Sequence, residues 1–134
     1  KLNLPEASLS SNTGDMRALQ TGADQMLLLF AHSTPDAKTF VQGKLKGTGY
    51  ATDQSDAWIV LELSGPDTIA ALERVCPLDL HPDVFPTNAS GRTVMEHMGA
   101  MIVRLEEDRF LLLSASSSAD SFLHAFKLSY QWVG

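Results

Sequence analysis

The sequence has a single cysteine, sixteen acidic but only ten basic side chains, and no long apolar run in its 134 residues. Each shortage excludes something. Lone Cys76 cannot form an internal disulfide, which fits a reducing compartment, although a secreted chain without disulfides would read the same way. A net charge of −6, with no basic cluster beyond Lys44 and Lys46, opposes binding to nucleic acid and to anionic membranes. The segment Met26-Leu27-Leu28-Leu29-Phe30-Ala31 is far shorter than the roughly 20 residues that cross a bilayer. No signal-peptide pattern is visible, so the expected location is cytoplasmic, although Lys1 is not an initiator methionine and is compatible with processing ahead of it.

What is present suits one globular domain. The chain length lies in the usual domain range of roughly 100–150 residues. Hydrophobic residues make up 44% and charged residues 19%, enough apolar surface for a core and too little charge for wholesale disorder. Residues 1–14, with Pro5, serines, Asn12 and Gly14, read as an irregular N-terminal arm, and residues 15–134 as a single domain. Apolar Leu27–Ala31 predicts a buried strand. Pro35 and Asp36 open a short helix to about Leu45. Ala57–Leu63 is apolar and β-prone, as in a central strand. Ser64-Gly65-Pro66-Asp67 then starts a helix whose stripe is Ile69, Leu72 and Cys76, and Pro77 stops it. A proline-rich loop over residues 77–91 leads into an extended segment, Thr93–Leu105, where Gly99 marks a bulge. Glu106–Arg109 turns the chain into Phe110–Leu113, forming a hairpin. The last helix carries Ala119, Phe122, Leu123, Phe126, Tyr130 and Val133 on one face. This order predicts an α+β fold, a mixed or antiparallel sheet with helices packed on one face.

Chemistry is hard to find. The four histidines, His32, His81, His97 and His124, are dispersed, and adjacent Glu96 and His97 would point to opposite faces of a strand, which is poor for joint metal ligation. Cys76 on an apolar stripe reads as a small core residue rather than a nucleophile. Gly43, Gly47 and Gly49 lack the spacing of a phosphate loop. Asn88-Ala89-Ser90 matches a glycosylation sequon, a triplet that arises often by chance. The expectation is a chain with no catalytic, cofactor-binding or metal-binding residues of its own. Asp79, His81, Pro82 and Asp83 remain as a candidate partner-contact surface, because a rigid polar loop loses little entropy on docking. The aspartates could equally serve local turns.

The succession Asp53-Gln54-Ser55-Asp56-Ala57-Trp58, Leu61-Glu62-Leu63-Ser64-Gly65-Pro66, Cys76-Pro77-Leu78-Asp79-Leu80-His81-Pro82, Phe85-Pro86 and Thr93 resembles the gamma subunit of heterotetrameric sarcosine oxidase. The match covers about residues 53–132. Asn88 stands near a position where that family has glycine, and Ser116-Ser117-Ser118-Ala119 replaces its Arg-Ser-Phe-Ala. The resemblance implies a fold like the folate-binding module of aminomethyltransferases. It also implies a non-catalytic, structural role beside a large alpha subunit, with beta and delta subunits completing the complex. In that complex the partner subunits hold FAD, FMN, NAD and tetrahydrofolate, and sarcosine is oxidatively demethylated with its methyl carbon passed to tetrahydrofolate. The alternative is a stand-alone folate- or small-anion-binding module of the same fold.

Overall fold

Apolar residues of four strands between Trp58 and Ala115 build the central sheet. The computed structural model describes residues 10–33 and 36–134. Strands β1 (Ser10–Thr13), β2 (Met16–Gly22) and β3 (Gln25–Leu29) form an antiparallel meander, and α1 (Ala37–Leu45) follows it. Then come β4 (Trp58–Ser64), α2 (Thr68–Glu73), β5 (Ser90–Met95), β6 (Met98–Glu106), β7 (Arg109–Ala115) and α3 (Ala119–Val133). The second sheet runs in the order β4-β7-β6-β5, and its pairings are all antiparallel.

Strand alternation sends its side chains to two faces. Ala100, Ile102, Phe110 and Leu112 meet Leu72 of α2 and Phe122 and Phe126 of α3, which is the larger core. Met101, Val103 and Leu113 face the other way and pack with Leu19, Leu27 and Leu29 of the meander. The layers are therefore helices, four-stranded sheet and three-stranded sheet. Two polar ties lock the helices together. Ser129 Oγ donates to the Ala71 carbonyl at 2.7 Å, and the Thr68 and Tyr130 hydroxyls are 2.8 Å apart.

The α+β class, α2 and α3 on one face of the sheet and the hairpin at Glu106–Arg109 are as expected, whereas α1 adds no buried residue to that face. Several local expectations are corrected. Ser10–Thr13 are not irregular but pair with β2, each partner satisfying the other's backbone; residues 1–9 of the expected arm lie outside the described residues, as does Pro35. Met16–Gly22, expected as no element, is a strand. β4 is an edge strand, not a central one. Ile59, Leu61 and Leu63 pack toward the helices, whereas on the other face Trp58 meets the meander and Val60 is left exposed. Thr93–Leu105 does not continue as one strand. It reverses at Glu96 and His97, whose φ values of 48° and 67° make the left-handed two-residue turn of a hairpin. Gly99 pairs in register with Val94, and the irregularity falls instead between Arg104 and Glu106.

Candidate functional site

Pro77–Ala89 joins the end of α2 to β5 without a helix or strand, yet it is anchored along its length. Leu80, Phe85 and Ala89 are buried in the larger core. Beside them Gly91 leaves room that a side chain would take, since a Cβ there would stand 3.0 Å from Leu78 Cδ1. Part of the loop backbone is satisfied within the loop. Val84 and Phe85 amides donate to the His81 carbonyl at 2.9 and 2.8 Å, and the Ala89 amide to the Pro86 carbonyl at 2.9 Å.

The polar residues sit on the outer side of this anchored backbone. Asp79 Oδ1 accepts the His81 amide at 2.9 Å, a local turn that such a side chain favours. His81 Nδ1 accepts the Asp83 amide at 3.3 Å and lies 3.6 Å from Asp83 Oδ2. One nitrogen cannot do both. Accepting the amide needs an unprotonated Nδ1, whereas an ion pair needs a proton on it. The His81 and Asp83 side chains are 64% and 90% exposed, so solvent screens whatever attraction they share. Structure thus brings Asp79, His81, Pro82 and Asp83 together at one surface and gives Asp79 a turn role as well.

Three further residues hold this loop, and the sequence reading did not single out two of them. Asn88 adopts φ 70°, the left-handed backbone that asparagine tolerates in place of glycine. Its carbonyl accepts the Ser10 amide at 2.6 Å, and its side-chain oxygen accepts Arg17 Nη1 at 3.1 Å. Burial, with the Arg109 charge second, lowers the pKa of Arg17. Arg104 on β6 is 1% exposed and stacks on the Phe110 ring at 4.6 Å. Its guanidinium donates to the carbonyls of Leu80 and Glu107. Burial lowers its pKa, and the Glu107 carboxylate opposes that shift. A hydrophobic strand pattern hides such a residue, because a lone arginine at a strand end looks like a solvated one.

Cys76 is 5% exposed, and burial raises its thiol pKa, offset in part by a backbone hydrogen bond at Leu78. Among the described residues no group of three His, Cys, Asp or Glu could hold a metal ion. No described helix is long and apolar enough to cross a membrane. An open groove of about 330 Å³ lies between the β2–β3 turn and β5, where Arg92 is the cation. That guanidinium already donates to the Thr21 carbonyl at 3.0 Å.

No family model matches the chain. Sarcosine oxidase subunit gamma from Corynebacterium sp. (strain P-1) is 29% identical over 106 residues, 79% of this chain and 52% of that protein. The protein of the same name from strain U-96 is 29% identical over 126 residues, 92% of this chain and 61% of that one. An Arthrobacter sp. sarcosine oxidase subunit gamma is 30% identical over 95 residues, 71% and 47% of the two chains. The chain thus spans about half the length of the curated relatives it matches. A chain of the heterotetrameric sarcosine oxidase from Corynebacterium sp. U-96, in complex with pyrrole 2-carboxylate, has the same fold. The TM-score is 0.83 at 24% identity, over 98% of this chain and 68% of that chain. The resemblance to the sarcosine oxidase gamma-subunit family is borne out by these relatives.

Proposed function

We propose that the chain is a non-catalytic accessory subunit of a sarcosine-oxidase-like flavoprotein complex. The observation that carries this reading is sequence relation to sarcosine oxidase gamma subunits over 71–92% of the chain. Oxidative demethylation of sarcosine, with the methyl carbon going to tetrahydrofolate, then belongs to the partner subunits. FAD, FMN, NAD and tetrahydrofolate are held there, by the large alpha subunit and its beta and delta companions. This chain contributes a surface, and the loop bearing Asp79, His81, Pro82 and Asp83 is its contact point. A rigid loop suits that task, since its backbone is ordered before docking and little entropy remains to be lost.

A folate- or small-anion-binding module has two open grooves to draw on, one of about 350 Å³ where the Glu96 carboxylate shares the lining with Arg74 and His124, and the groove at Arg92. The volume of the Arg92 groove sits near the lower end of the roughly 300–1,000 Å³ common for ligand pockets, and its guanidinium is already engaged. The accessory reading is therefore preferred.

Co-purification from the native host at mild salt tests it. The expected result is a large flavin-bearing partner that stays with the chain through two further columns, while the isolated chain shows no flavin absorbance and no sarcosine-dependent peroxide. Peroxide production that survives repurification of the isolated chain would overturn the proposal.

A further inference from the structure

Arg104 is a buried cation that makes no close ion pair among the described residues, the Glu107 carboxylate acting on it only at longer range. Its guanidinium donates to two main-chain carbonyls, Leu80 in the contact loop and Glu107 in the β6–β7 turn. Its own backbone grips the far end of the same loop. The Asn88 amide donates to the Arg104 carbonyl at 2.8 Å, and the Arg104 amide to the Ala89 carbonyl at 3.0 Å. One residue thus holds the loop at both ends and ties it to a second surface turn. Burying a charge this way is expensive, and Nε has no acceptor among the described residues. An apolar side chain could fill the space over Phe110 at lower cost, so filling the core does not explain a guanidinium here.

We infer that Arg104 is the positioning residue of the contact loop, fixing Leu80–Ala89 and the Glu106–Arg109 turn as one rigid docking unit. This rests on the proposed accessory role for what docks there, but the coupling itself is a property of the isolated chain. A planar guanidinium suits it because its fixed fork serves two acceptors at a set angle, which a lysine ammonium on a flexible stem does not. The two segments then open together or not at all. The loop presents His81 and Asp83 to a partner in one geometry relative to Glu106 and Asp108.

Native-state hydrogen exchange on the full chain reads this directly. The loop reporters are the amides of Val84, Phe85, Asn88 and Ala89; the turn reporter is Gly65, whose amide donates to the Asp108 carbonyl at 3.3 Å. In the unsubstituted chain both sets should exchange through one opening, with the same dependence on denaturant. Arg104→Met keeps a long apolar stem over Phe110 and removes the donors. Both sets should then lose protection about tenfold or more, the effect of losing hydrogen bonds to a charged group, while amides within α3 hold theirs. Arg104→Lys should restore protection to one segment and not both. Independent opening of loop and turn in the unsubstituted chain overturns the inference, even should Arg104→Met fail to fold. So does an Arg104→Met chain in which both sets stay protected. Capture of the large partner by Arg104→Met separates the two proposals. Lost protection with unchanged capture would leave the tether standing and remove the loop from the docking surface.

Discussion

Two connections in this chain make opposite use of secondary structure. Residues 30–57, between β3 and β4, include the nine-residue helix α1, yet α1 has no buried residue. Phe40 is 40% exposed and Tyr50 fully so. Around α1 the contacts are local: Phe40 meets Phe30 at 5.8 Å and His32 at 5.1 Å between ring centroids, and Gln42 bonds Gly49 and Ala51. At the far end the Ala57 carbonyl accepts the Ser116 amide at 2.9 Å. Pro77–Ala89 has no helix or strand, but it puts Leu80, Phe85 and Ala89 into the main core and is gripped by Arg104. Helical hydrogen bonds alone contribute little to holding a short segment in water. What fixes a segment in place is what it buries and which distant groups satisfy its backbone. The loop is therefore the part of this surface built to keep a shape.

The comparison breaks first at Phe85. Truncating a buried phenylalanine costs about 3–5 kcal/mol through lost transfer energy and the cavity left behind. Phe85→Ala should lower the urea midpoint accordingly, and an unchanged midpoint would mean that the loop does not rest on the core.

Cys76 offers a second reading of the same contrast, because it shares the larger core with Leu80 and Phe85. Burial raises its thiol pKa. A raised acid pKa means that the folded chain keeps its proton longer than the unfolded one. The stability linked to it is fully present below the unfolded thiol pKa, about 8.5, and is lost as pH rises from there through the folded value. At mildly alkaline pH the folded thiol should react with an alkylating reagent far more slowly than in urea. Phe85→Ala should speed that reaction and Phe40→Ala should not. Equal acceleration by both would erase the distinction between the two connections.

Phe40→Ala is the smaller perturbation. It removes ring contacts from a helix with no fully buried residue, so the expected loss is under about 1 kcal/mol by urea unfolding. A loss matching that of Phe85→Ala would show that α1 is as firmly anchored as the loop.

Much of this contrast was legible in the residues. Pro77, Pro82 and Pro86 announce an ordered loop, and the strand–Ser-Gly-Pro step fixes where α2 begins, because Gly65 at φ 115° takes a backbone that side chains avoid. The spacing of Phe122 and Phe126 located the buried face of α3, although Leu123, assigned to the same face, is 37% exposed. Other features had no local signature. The β5–β6 turn uses Glu96 and His97 in left-handed conformations with no glycine or asparagine to signal it, so tertiary pairing overrides propensity there. β2 mixes Arg17, Gln20 and Thr21 with its apolar residues, and full burial is confined to adjacent Ala18 and Leu19, one on each face. The tether at Arg104 depends on carbonyls at Leu80 and Glu107, whose approach to one guanidinium no spacing rule encodes.

The smallest expected change in stability belongs to the most direct test of the proposed docking surface. His81→Ala combined with Asp83→Ala removes two exposed side chains whose mutual attraction solvent screens. The thermal midpoint of the isolated chain should correspond to a loss within about 0.5 kcal/mol, because the hydrogen bond given up, from the Asp83 amide to His81 Nδ1 at 3.3 Å, is long and exposed to water. Capture of the large flavin-bearing partner, measured with the unsubstituted and doubly substituted chains side by side, should weaken severalfold. A double variant that melts early yet captures the partner normally once folded would contradict the account, leaving the loop a structural element and placing the contact elsewhere.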